Sequence, residues 1–215
     1  MHLGGIILCG GRSSRMGLPK WSLPFGPETM LERIVRLLGK VCPTLVVVAA
    51  ADQSLVKLPV GVIVTRDRRE GRGPLEAISA GLSALPEDVE AAYVTSCDVP
   101  LLAPAFVRRM FELLEDYSAA VPVSDGYLHP LSTVYRRSLL PVIDELLAND
   151  RLRPSLLFDV VSTRHVAPRE LVEVDPELNT LKNLNHPADY LEALAQSGFK
   201  APSEVLSKLT GGLSE

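Results

Sequence analysis

An apolar run, Leu3 to Leu8, breaks at once into Cys9-Gly10-Gly11-Arg12-Ser13-Ser14-Arg15-Met16-Gly17-Leu18-Pro19-Lys20, and this junction constrains the fold more than any other stretch of the chain. It reads as a buried strand feeding a glycine-rich, basic loop. Glycines reach positive φ and admit close approach, so such a loop can turn several backbone N–H groups toward an oligophosphate, while Arg15 and Lys20 offset its charge. A Walker A loop would require Gly-Lys-Ser/Thr, and the dinucleotide fingerprint Gly-x-Gly-x-x-Gly. Neither is present, so the segment is a phosphate-handling loop of another kind.

Further along, apolar runs alternate with helical periodicity, the pattern of a mostly parallel sheet flanked by helices. Met30, Leu31, Ile34, Val35, Leu37 and Leu38 recur at helical spacing ahead of Gly39. Thr44 to Ala51 is apolar through its middle, as a strand covered on both faces would be, and Val60 to Thr65 gives a third strand. Pro74 opens a helix whose buried face is Leu75, Ile78, Leu82 and Leu85. Ala91 to Thr95 forms a fourth strand, followed by a helix with Phe106, Val107, Met110, Phe111 and Leu114 inward. The strand-and-helix layer is thus read four times over. Beyond it, Ala119 to Val123 and Leu131 to Tyr135 are expected as strands and Leu139 to Leu147 as a helix. Arg151 to Phe158 is expected as a short helix, with one or two strands before Val174 and a last helix over Pro187 to Ala195. The expected architecture is α/β, a three-layer α/β/α arrangement with a Rossmann-like, mostly parallel sheet. Residues 1–197 are taken as one domain, and the polar tail 198–215 as loosely held.

At 215 residues the chain can bury one sizeable core, and its 47% hydrophobic and 22% charged residues are those of a globular protein. A net charge of −4 offers nucleic acid no global attraction, so any cationic site must be local. The three cysteines, Cys9, Cys42 and Cys97, are far apart and form no CxxC pair, as in a reduced, cytoplasmic protein. No signal-peptide pattern or apolar run of membrane-spanning length is seen, which points the same way.

In an open parallel sheet the ligand crevice lies beyond the carboxyl ends of the strands. The first strand brings Gly10, Gly11, Arg15 and Lys20 there; the third brings Arg66-Asp67 and Gly71-Arg72-Gly73-Pro74; the fourth brings Asp98. Asp98, at the tip of a buried strand and followed by Val99-Pro100, is a hard oxygen ligand on a rigid support, suited to Mg²⁺ shared with substrate phosphates. Asp67 is expected to bind a nucleotide hydroxyl or assist the metal. His129, ahead of Pro130, and the pair Asn183 and Asn185 carry neutral hydrogen-bonding groups for an acceptor. No Ser-His-Asp or Cys-His nucleophile stands out.

With these residues assembled, the chain resembles the molybdenum cofactor guanylyltransferases, within the small nucleotidyltransferases that also include sugar-phosphate and isoprenoid-precursor enzymes. The resemblance is carried by Leu8-Cys9-Gly10-Gly11 through Lys20, Gly73-Pro74-Leu75, Cys97-Asp98-Val99-Pro100, His129-Pro130 and Asn183-Leu184-Asn185-His186-Pro187. It implies transfer of GMP from GTP onto the phosphate of Mo-molybdopterin with release of pyrophosphate, in the cytoplasm. It also implies that Leu8, Cys9, Gly10, Gly11, Lys20, Asp67 and Asp98 contact the nucleotide, that Asp98 holds Mg²⁺, and that Arg15, Lys20 and Asp98 act in catalysis. Partners beyond the substrates would be other cofactor-biosynthesis proteins or recipient apoenzymes, with no nucleic acid and no membrane.

Two departures stand out. Pro19 occupies the position before Lys20 that is often acidic in the family. Ala49-Ala50-Ala51 follows the second strand where guanylyl members tend to carry an asparagine, and alanine has no side-chain group with which to choose a base. Alternatives are therefore a cytidylyl or other nucleotidyl transfer to molybdopterin or another small phosphorylated acceptor, and a non-catalytic nucleotide-binding protein.

Overall fold

The computed structural model describes residues 2–10, 16–67 and 71–211. In chain order these form β1 (His2–Leu8), β2 (Pro24–Phe25), β3 (Glu28–Thr29), α1 (Met30–Leu38), β4 (Thr44–Ala49), β5 (Ile63–Arg66), α2 (Pro74–Ala84) and β6 (Val89–Ser96). There follow α3 (Pro104–Glu112), β7 (Ala119–Ser124), β8 (Tyr127–Leu128), β9 (Thr133–Arg136), α4 (Leu140–Ala148), α5 (Ser155–Phe158), β10 (Thr163–Val166), α6 (Pro187–Gln196) and α7 (Ser203–Gly211).

The main sheet has 8 strands in the order β10-β7-β9-β6-β1-β4-β5, with β8 paired to β7. β1 runs parallel to both neighbours, in register Leu8↔Val48 and Leu8↔Ser96, and β5 continues parallel to β4. Only the far side of the sheet departs from this direction, where β9 lies antiparallel to β6 and β7. The alternation of side chains along β1 explains the layering, because successive residues of a strand face opposite ways. Ile7 joins Val47, Tyr93, Leu31 and Ile34 of α1 and Phe106 of α3 on one face. Ile6 and Leu8 join Val46, Val94, Leu75 and Ile78 of α2 and Ile143 of α4 on the other. This is a three-layer α/β/α fold with a mostly parallel sheet.

Local chemistry sets the helix starts. Thr29 and Glu32 make a reciprocal capping box at α1, Thr29 N–H donating to Glu32 Oε2 at 2.7 Å and Glu32 N–H to Thr29 Oγ1 at 3.3 Å. α2 opens on Pro74 after Gly73, whose φ of 80° lies in the region that favours glycine.

The structure differs from the sequence reading between β4 and β5. β4 and β5 are joined without a helix: residues 50–62 cross in irregular conformation, with Leu55, Val56 and Leu58 packed on the α1 side. The strand-and-helix unit therefore does not repeat four times. The stretch before Val174 holds one strand, β10, within the one or two expected. Within the segment 198–215 the described residues run to 211: the Phe199 ring meets that of Phe25 edge-on at 5.9 Å, and α7 buries Leu209 among Met16, Leu23, Met30, Tyr190 and Leu194. Among the described residues no helix is long and apolar enough to cross a membrane.

Candidate active site

The chain builds β1, β4 and β5 outward in one direction, then returns through α2 to lay β6 on the other side of β1. That reversal opens a crevice at the carboxyl ends of β1 and β6. The backbone pairing runs one residue past the strands. Cys9 N–H donates to Val48 O at 2.8 Å, Cys97 N–H to Leu8 O at 3.0 Å and Asp67 N–H to Ala49 O at 3.0 Å. These bonds carry Gly10, Asp67 and Asp98 to one rim.

The rim encloses a cavity of about 1250 Å³, lined among others by Leu8, Cys9, Gly10, Asp67, Asp98 and Asn183. This exceeds the roughly 300–1,000 Å³ usual for a single small ligand. Gly10 is exposed on its floor, and a Cβ there would stand 3.0 Å from Asp67 Oδ2 and 3.6 Å from Ala50 N. Only glycine leaves that floor as bare backbone.

Lys20 and Asp98 form the charged centre. Lys20 Nζ donates to Asp98 Oδ2 at 2.8 Å and to Asn185 Oδ1 at 3.2 Å, and the Ser96 hydroxyl donates to Asp98 Oδ1. Both charged side chains are largely shielded from water, 17% exposed for Lys20 and 13% for Asp98, which strengthens the attraction between them. Ser96 was not singled out from the sequence, although its position two residues before Asp98 on a strand signals a shared face. The Asn185 segment is held there from two sides. Leu184 N–H donates to Asp98 O at 2.9 Å, and the N–H groups of Asn185 and His186 both donate to Asp189 Oδ2 at 2.8 Å, capping α6.

The remaining expected residues divide. Asp67 and Asn183 line the cavity with Asp98. His129 is occupied elsewhere: its Nε2 pairs with Ser124 Oγ at 3.0 Å, its carbonyl accepts from Ser132 N–H and Thr133 Oγ1, and the wall beyond it is Leu131. Burial pulls the His129 imidazole below its ordinary pKa, with the Asp125 charge opposing. Gly11 and Arg15 lie outside the described residues. Arg72, in the glycine-rich turn before α2, donates to Leu147 O and pairs with Glu76 at 3.3 Å and Asp150 at 3.1 Å, so it fastens the turn to α4. The Cys9 thiol is raised well above its ordinary pKa by its hydrogen bond with Cys97, by burial and by the nearby Cys97 and Asp98 charges. Its hydrogen bond and burial fit a packing role for Cys9.

As for a metal, no group of three or more His, Cys, Asp or Glu stands together among the described residues. At the charged centre Asp98 supplies a carboxylate already paired with the Lys20 ammonium group, and its donor is a hard oxygen. Such a position fits Mg²⁺, which keeps waters and takes its other ligands from substrate phosphates.

Comparison with known proteins agrees with this geometry. Residues 5–165 match the model of the MobA-like NTP transferase domain. A probable molybdenum cofactor guanylyltransferase of Mycobacterium avium is 37% identical over 201 residues, covering 92% of this chain and 97% of the relative. A protein of the same description from Carboxydothermus hydrogenoformans is 35% identical, covering 87% and 93%. In fold, the chain is similar to the crystal structure of molybdopterin-guanine dinucleotide biosynthesis protein A from Archaeoglobus fulgidus. The TM-score is 0.76 at 20% identity, over 91% of this chain and 98% of that one. A glycine-floored rim at the ends of β1 and β6, with the family match running through the strands that build it, leads to one conclusion: the chain belongs to the MobA-like NTP transferase family, among the molybdenum cofactor guanylyltransferases.

Proposed function

We propose that this protein transfers GMP from GTP to the terminal phosphate of Mo-molybdopterin. The observation that carries the reading is the Lys20–Asp98 pair, at 2.8 Å, over a cavity of about 1250 Å³. A phosphate oxygen of the pterin attacks the α-phosphorus, a new P–O bond forms, the bond to the β-phosphate oxygen breaks, and pyrophosphate leaves with the electron pair. The attacking oxygen is already ionised near neutral pH, so no general base is needed. The protein's task is in-line positioning and stabilisation of charge.

The backbone at Leu8, Cys9 and Gly10 forms the floor for the phosphates, and Gly11 is read as a further nucleotide contact. Lys20 and Arg15 oppose the charge that grows on the departing pyrophosphate, and Lys20 is kept in reach of the rim by Asn185. Asp67 receives the ribose, and Asn183 and Asn185 face the acceptor, with His129 holding the turn that presents Leu131. Asp98, steadied by Ser96, is the residue that would hold Mg²⁺. When bound, that ion would neutralise phosphate charge and make the α-phosphorus more electrophilic. Cytoplasmic GTP and other cofactor-biosynthesis proteins or recipient apoenzymes complete the proposed setting.

The test is label transfer. With GTP labelled on either the α- or the γ-phosphate and Mo-molybdopterin as acceptor, α-label is expected in the pterin product and γ-label in pyrophosphate, one for one. Release of label as inorganic phosphate, with none on the pterin, would overturn the proposal.

A further inference from the structure

The turn after β4 lines the cavity with Ala50, Asp52 and Gln53. Along the rim the strand ends stand in the order Asp98, Gly10, the 50–53 turn and Asp67. Neighbouring strands are about 4.8 Å apart, which puts the turn on the order of 10 Å from Asp98. A nucleotide with its α-phosphate at Asp98 spans that distance to place its base at the turn.

The main chain of this turn is largely committed. Arg66 Nη1 donates to the carbonyls of Ala50 at 2.6 Å, Ala51 at 2.7 Å and Gln53 at 3.1 Å. The Ala50 N–H donates to Gln53 Oε1 at 3.0 Å, and the Gln53 N–H returns to Ala50 O at 3.2 Å. Ala50 and Ala51 add no polar side chain. Asp52 does: it is exposed, lines the cavity, and makes no hydrogen bond or ion pair among the described residues.

An ionised carboxylate only accepts hydrogen bonds. Guanine alone among the four common bases offers two adjacent donors, N1–H and N2–H₂, on one edge. Adenine and cytosine set a lone pair beside their amino group, and uracil sets its single N–H between two carbonyls, so each meets a carboxylate with repulsion. We infer that Asp52 selects guanine by accepting from N1–H and N2–H₂, replacing the asparagine that is absent from this turn. The inference rests on the nucleotidyl-transfer reading and adds to it the residue that reads the base. Arg66 and Gln53 are the positioning residues that hold Asp52 toward the cavity.

Equilibrium binding of GTP, ITP, ATP and CTP with Mg²⁺, measured on the full chain and on Asp52→Ala and Asp52→Asn, decides the point. ITP is GTP without the 2-amino group. The unaltered protein is expected to bind GTP about ten-fold or more tighter than ITP. In Asp52→Ala, GTP should weaken about ten- to hundred-fold and the GTP-to-ITP ratio should collapse toward one, with Asp52→Asn between. Because the side chain is exposed and has no partner among the described residues, both variants should keep the parent's thermal midpoint. An unchanged GTP-to-ITP ratio in Asp52→Ala, or a parent protein that binds ATP or CTP as well as GTP, would overturn the inference while leaving nucleotidyl transfer standing. Failure of every triphosphate to bind would instead overturn the transfer reading and this inference with it.

Discussion

Lys20 and Asp98 are separated by 78 residues in sequence and by 2.8 Å in space, and each answers a need of the other. A partly buried carboxylate needs a cation, and a lysine at a phosphate rim needs an anchor that leaves it poised there. Asp98→Ala and Lys20→Ala are each expected to lower kcat by about 10²- to 10³-fold, the usual cost of removing one charge-stabilising group. The thermal midpoint should shift by no more than about 5 °C, because neither side chain is fully buried. A pyrophosphate-release assay beside a thermal melt separates the two effects. His129 leads to a pH prediction of defined sign. Its ring is held below the ordinary value of 6.5, so the unfolded chain takes up the proton first as pH falls. The neutral ring's contribution to stability is full above about 6.5 and declines as pH drops toward the lower folded-state value. His129→Gln should remove that part of the slope, read as the difference between variant and parent in urea unfolding at about pH 5 and about pH 7.

At the scale of elements, the close seat of α2 on β1 depends on one small residue. A Cβ at Gly81 would stand 2.5 Å from Ile6 Cγ2. Gly81→Ala gains about 1 kcal/mol of helix propensity but meets about 1–3 kcal/mol of overpacking. Net destabilisation is expected, measurable by denaturant unfolding; a stabilised variant would mean that α2 can shift. The elements legible in the sequence were those with a strong period: β1, β4 and β6 as continuous apolar runs, α1 and α3 as helical stripes, and α2 from Pro74. The β2–β3 ribbon, only two residues to a strand, carries no period to read. The crossover between β4 and β5 packs Leu55, Val56 and Leu58 against the core on the α1 side without forming a helix, so it carries no helical spacing to read. At the site, Gly10, Asp67 and Asp98 were legible because each sits at a strand end. The reach of Lys20 to Asn185, 165 residues away, is a product of tertiary packing that no local spacing announces. His129 was read from its polar chemistry, which its neighbour Ser124 turns to use in a hairpin.

At the scale of the whole molecule, three clusters divide the work. Two sandwich the sheet, and the third ties the C-terminal helices to the ribbon that follows the phosphate loop. Phe199 and Leu209 belong to that third cluster, one packed against it and one buried in it, together with Met16 next to the loop. Truncation after residue 197 removes both, at about 1.5–3 kcal/mol for each side chain if fully buried, and is expected to lower the thermal midpoint on the order of 10 °C. It should also weaken GTP binding, since the same cluster anchors Leu184 beside Asp98. An unchanged midpoint would mean that α7 adds nothing to the fold. The central claim is that this rim couples a nucleoside triphosphate to a phosphorylated pterin. Its most direct test is pyrophosphate release by the purified protein with Mg²⁺ and each of GTP, CTP, ATP and UTP, with and without Mo-molybdopterin. Release with GTP alone, and only when the pterin is present, is the predicted result. Release that ignores the pterin, or silence with all four nucleotides, would contradict it.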